Sequence, residues 1–187
     1  MTSTVKTSTV LWLGVLAGLV LTLAACGGDD DDAVASPTIV PSPATEAAYF
    51  DLLAPALQAI NVQLEGLDQL RAAAFDDGPN RAAADAYGAA YETFASDRLT
   101  AVETLRPNES LANEHQALAT AARDGLLLAE NLRSELNQSP PASDAEFLAL
   151  FGDLDGATIT SRYHDACTKL QFRATSGGLD IDLQCLL

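Results

Sequence analysis

From Thr45 onward one feature governs the chain: apolar side chains recur every three or four residues, in blocks cut by proline, glycine and Asx turn signals. That spacing places them on one face of an α-helix, whereas a half-buried strand would need two-residue alternation. In the first block the stripe is Tyr49, Leu53, Leu57, Ile60, Leu64 and Leu67. Pro55 falls inside it without disturbing its phase, so we expect a kink or a short leading turn there rather than a separate element. Asp76-Asp77-Gly78-Pro79-Asn80 is a strong break. A second helix should run to about Leu105, with Tyr87, Tyr91, Phe94, Val102 and Leu105 on one side, and Pro107-Asn108 ends it and starts the next. The third carries Leu111, His115, Leu118, Ala122, Ala129, Leu132 and Leu136 up to Ser139-Pro140-Pro141. The fourth opens at Ser143 with Glu146 three residues later, a capping box, continues through Phe147, Leu150, Phe151 and Leu154, and should break at Gly152 and Asp155-Gly156. A further stretch, about 158 to 175, shows Tyr163, Cys167, Leu170 and Ala174 on one face. Amphipathic segments with short connections and abundant alanine predict an all-α domain over 45–187, an antiparallel four-helix bundle.

After Gly177-Gly178 the period changes. Leu179, Ile181, Leu183 and Cys185 share one parity, and Asp180, Asp182 and Gln184 take the other. This is the alternation of an extended segment with one buried side, so Cys185 should point inward, toward the apolar face that carries Cys167.

Ahead of the helical region, Lys6 precedes an uncharged, mostly apolar run at 10–25. Sixteen helical residues span about 24 Å, short of the roughly 30 Å hydrocarbon core, which suits the apolar part of a signal peptide better than a permanent span. The run ends in Leu23-Ala24-Ala25-Cys26, which resembles the lipobox of bacterial lipoproteins. The resemblance covers the targeting segment. It implies a signal peptide at 1–25, a diacylglyceryl group on the Cys26 sulfur, and a further acyl chain such as palmitate on the new amine. It also implies an extracytoplasmic location at the cell membrane, or at the outer membrane of a cell that has two. Two or more chains, at about 0.8 kcal/mol per buried methylene, would anchor the protein without help from the domain. The segment 26–44 then reads as the lipidated cysteine and a spacer of Gly, Pro and Ser around four aspartates at 29–32. The aspartates lack the spaced ligands and turn glycine of a calcium loop, and their mutual repulsion should stretch the tether.

With Cys26 taken by lipid in an oxidising compartment, two cysteines remain, and the expected pairing is Cys167–Cys185. Closing a loop of about 19 residues contributes roughly 3 kcal/mol in the chain-entropy description. The alternative, a redox pair or metal site, has no Cys-x-x-Cys motif to support it. The closing pattern, Tyr163-His164-Asp165-Ala166-Cys167 through Leu170-Gln171 to Ile181-Asp182-Leu183 and Cys185, is similar to the ends of helical lipoproteins without a characterised activity, and it implies none.

Charge excludes some functions. The chain carries a formal net charge of −16, and removal of 1–25 takes away only Lys6 among its charged residues. Such a surface repels phosphate backbones, so nucleic acid is not an expected partner. It also disfavours adsorption to anionic headgroups, which leaves the lipid anchor as the membrane contact. Neither histidine has a second His or a Glu at metal-binding helical spacing. His115 is expected to be hydrogen-bonded and half-buried on the third helix, and His164 to lie with Thr160, Thr168 and Gln171 on the solvent face. No hydrolase elbow, phosphate loop or haem attachment motif occurs, so no catalytic residue, metal or cofactor is assigned. Tyr87, Tyr91 and Phe94 read as core, with a ligand cleft as the alternative. The function expected is a non-enzymatic, surface-tethered module that binds an envelope protein, a peptide or a small ligand. A metal-dependent or hydrolytic envelope enzyme would instead gather carboxylates around His115, and a purely structural envelope component is the third reading.

Overall fold

The computed structural model describes residues 45–185, Asp77 and Pro79 excepted. The segments read from the sequence as signal peptide, lipobox with Cys26 and spacer lie outside the described residues. The remainder is all-helical: α1 is Glu46–Asn61, α2 Leu64–Phe75, α3 Arg81–Glu103, α4 Ala112–Gln138, α5 Asp144–Asp153 and α6 Gly156–Ser176, with a 3-10 turn at Glu109–Leu111. No strand occurs among the described residues. No helix among them is long and apolar enough to cross a membrane.

Local chemistry sets the boundaries. The side chains of Thr45, Asn80, Asn108 and Ser143 each accept a bond from the backbone N–H three residues on, satisfying donors that have no partner within the helix. At Ser143 the box is reciprocal in a shifted register, with Glu146 accepting from the N–H of Ala142.

Pro55 makes no break. It lies within α1, where Pro55 and Asp51, the residue whose carbonyl loses its donor, are both exposed, so water can replace the missing bond. The interruption comes instead at Val62–Gln63, where the Gln63 N–H turns back to Ile60 O at 2.9 Å and Val62 is left 76% exposed. Two helices therefore stand where one was expected. The apolar stripe still keeps its phase, with Leu53, Leu57, Ile60 and Leu67 all buried.

The long helices form a helical bundle in which α4 packs on both α3 and α6, while α1 and α2 lie against α3. Arg133–Glu92 and Arg123–Glu103 are both ion pairs, and their reversed order shows that α3 and α4 run in opposite directions. The buried side chains fall into two clusters. One unites α1, the ends of α3 and α6, and the start of α4 around Tyr49, Phe50, Leu53, Leu118, Cys167 and Leu170. The other unites α2, α5, the start of α3 and the end of α4 around Phe75, Tyr87, Phe94, Leu132, Leu136 and Phe147.

Between α5 and α6 the chain turns through Asp155, whose φ of 57° is left-handed, into Gly156. A Cβ at Gly156 would run into the Phe151 ring, so the close helix–helix turn needs a glycine there.

The C-terminal segment follows the expected alternation. Leu183 is fully buried, Leu179, Ile181 and Cys185 are half-buried, and Asp180, Asp182 and Gln184 are exposed. Cys167 and Cys185 form a disulfide, with their Cα atoms 5.6 Å apart. Past the Leu179 N–H, which bonds to Ala174 O, this hook has no strand beside it and depends on side chains for its backbone hydrogen bonds. Gln171 donates to Ile181 O at 2.6 Å and accepts from the Leu183 N–H at 2.7 Å. Gln58 and Asn61 of α1 donate to the carbonyls of Asp182 and Gln184. His164 meets Cys185 O at 2.7 Å. Gln171 and His164, expected on the solvent face, are both partly buried by this role.

Candidate functional site, a cleft around Arg98

Where the two clusters meet, the helices leave a cleft of about 530 Å³, within the range of small-molecule sites. Its walls are mainly aromatic and aliphatic: Tyr87, Tyr91 and Phe94 from α3, Phe147 and Phe151 from α5, Tyr163 from α6, Leu67 from α2 and Leu128 from α4. Asp68, Leu148, Ala157 and Ser161 line it and are also exposed, so they mark its mouth. Tyr87, Tyr91 and Phe94 thus serve both alternatives set out for them, packing in the second cluster and walling the cleft.

Several polar groups reach the cleft, and most are already engaged. Arg71 pairs with Asp144 at 3.4 Å, tying α2 to α5. His164 uses Nδ1 on the Cys185 carbonyl. Since a carbonyl only accepts, Nδ1 carries the proton, and in the neutral ring Nε2 is then an acceptor.

Arg98 is different. Its guanidinium carbon stands over the rings of Phe94 and Tyr163, 4.2 Å from each centroid. Among the described residues it has no hydrogen bond and no ion pair. Nor are its nitrogens sealed from solvent, for the one buried side-chain polar atom without a partner among these residues is Nε of Arg173. Burial lowers the pKa of Arg98, with Tyr163 and Tyr91 acting in the opposite direction. A guanidinium keeps its proton through such a shift, so the cleft holds a fixed cation. Burial also raises the pKa values of Tyr91 and Tyr163, with Arg98 partly offsetting the effect. Their hydroxyls therefore remain protonated at neutral pH and able to donate.

Arg98 carries no motif, yet its position in the sequence is informative. The position lies four residues after Phe94 and four before Val102, on the apolar stripe of α3 itself. A cation there is set among apolar neighbours and away from the solvent face.

His115 is buried in the first cluster, where Tyr49 Oη lies 3.0 Å from its Nδ1 and the two rings meet edge to face. Burial first, then Arg106, lowers its pKa below 6.5. Its hydrogen-bond partner is a tyrosine and the charge acting on it is cationic, which is the environment of a packed, neutral histidine. Among the described residues no three or more His, Cys, Asp or Glu side chains are grouped to hold a metal ion. No family model, curated protein or solved structure matches the chain.

Proposed function

We propose that the chain is an extracytoplasmic lipoprotein whose helical domain binds a small ligand between its helices. In this reading 1–25 is removed as a signal peptide, acyl chains on Cys26 hold the protein in the membrane, and the acidic spacer stands the domain off the headgroups. The domain is an antiparallel four-helix arrangement in which α1 and α2 act as one interrupted helix and α5 as a short buttress on α6. Binding rather than catalysis is its activity.

The observation that carries this reading is the aromatic cleft. Its wall belongs to helices of both clusters, and its apolar area would be costly to leave bare without a use. The disulfide supports the compartment, because such bonds persist where the surroundings oxidise thiols.

Gly125 provides the test. It lines the cleft, and a Cβ built there meets nothing within 4 Å, so Gly125→Leu fills the space without straining α4. The full chain should bind Nile red with a blue-shifted emission, and Gly125→Leu should abolish that signal while circular dichroism stays unchanged. Equal dye binding by the two proteins would remove the cleft as the site. For the anchor, the intact mass of the membrane-extracted protein should begin at a lipidated Cys26. A native protein still starting at Met1 with a free Cys26 thiol would refute it.

A further inference from the structure

We infer that the cleft ligand is a monoanionic apolar acid whose carboxylate is bound by Arg98, a proposal that rests on the cleft being the binding site. The rings of Phe94 and Tyr163 hold the guanidinium by its π contacts and leave its N–H groups without an oxygen acceptor among the described residues. Those donors form a planar fork that matches a carboxylate two bonds at a time. An arginine left like this on the stripe of α3 has given up part of its hydration without an ion pair in return, and an incoming carboxylate supplies the missing acceptors.

The surroundings narrow the class. Tyr91 and Tyr163 offer neutral hydroxyl donors beside the cation and have no protein hydrogen-bond partner among the described residues. The second cation in the wall, Arg71, is neutralised by Asp144, and Asp68 adds a negative charge at the mouth. Arg98 is thus the one cation of the wall without an ion pair among the described residues, and with an aspartate at the mouth it suits a single negative charge, so a doubly charged phosphate monoester is disfavoured. The rest of the wall is aromatic and aliphatic, which calls for an apolar body of comparable size behind the carboxylate. That body is either an acyl chain released from lipid or a free aromatic acid; the carboxylate chemistry is the same.

Isothermal titration of the full chain with 1-naphthylacetate and with the isosteric 1-naphthylacetamide separates charge recognition from shape. The acid should bind about tenfold or more tightly than the amide, and the preference should shrink as salt is raised. Arg98→Met, which keeps the stem packed on the rings, should bring the acid down to the affinity of the amide and leave the amide unchanged. Arg98→Lys should restore part of the preference, since it keeps the charge and loses the fork. Dodecanoate run beside 1-naphthylacetate tells an acyl chain from an aromatic body by which binds tighter. Equal affinity for acid and amide, a preference that survives Arg98→Met, or Nile red binding with no binding of either acid would each overturn the inference and leave the cleft standing. Loss of Nile red binding as well would overturn the cleft itself.

Discussion

The two hydrophobic clusters use the same long helices, yet they finish in opposite ways. Around Tyr49, Phe50 and Leu53 the helices close on fully buried side chains, and the hook from Leu179 to Cys185 is drawn over them by a disulfide and several side-chain hydrogen bonds. Around Tyr87, Phe94 and Phe147 the rings pack on one another but stop short of filling the space, and α5, a ten-residue helix, forms the far wall. The first region spends its polar side chains on holding backbone in place. In the second, Arg98 is held by rings and has no counter-ion among the described residues. The contrast separates what closes the domain from what leaves it able to accept a ligand.

The contrast should show most in large-to-small substitutions. Phe50→Ala, at a site with no exposure, should cost about 4 kcal/mol in urea unfolding. Leu64→Ala, on the partly exposed cleft wall, should cost about 1 kcal/mol, because the space it leaves joins one that is already open. Equal losses would mean that the cleft is filled in solution. Next comes the tie itself: replacing both Cys167 and Cys185 by serine should lower stability by roughly 3 kcal/mol and leave cleft binding of Nile red intact. Were the dye lost together with the disulfide, the two ends would be coupled rather than separable.

Gln171→Ala leaves the Ile181 carbonyl and the Leu183 N–H without their protein partners and should cost about 2 kcal/mol, with amide exchange accelerated at 181–185 and not in α5. Gly125→Leu should move the other way, gaining about 1 kcal/mol from helix propensity and filled space while ligand binding disappears. The smallest effect expected is that of His115. Its folded-state pKa lies below the ordinary 6.5, so the unfolded chain takes up a proton first as the pH falls. The contribution of neutral His115 is therefore complete above 6.5 and declines as pH drops below it, and His115→Gln should flatten that part of the stability–pH profile.

Much of this was legible along the chain. Three- and four-residue spacing identified the buried faces of α1, α3, α4 and α6, because burying one face of a helix requires that pattern wherever the helix packs. Parity identified the inward side of the hook, and with Cys26 assigned to lipid the cysteine count implied the pairing of Cys167 with Cys185. The capping box at Ser143 and the turn at Asp155-Gly156 were visible because their causes lie within a few residues of one another. The interruption after Asn61 was not. Pro55 was the stronger local signal, and its missing bond fell on the solvent side, where it costs little.

Tertiary structure alone decided the rest. No spacing rule says that Gln171, His164, Gln58 and Asn61 will converge on the hook, since their partners are up to 124 residues away. Nor does any local pattern state how far apart two packed clusters will stand, and hence that a cleft remains between them. Arg98 shows both limits at once. Its place on an apolar stripe was written in the sequence, but whether a carboxylate from another helix would meet it depended on where α2, α5 and α6 came to rest. Helix faces are chosen by covalent period, whereas the gaps between helices are set by the volumes of side chains from distant segments meeting in space.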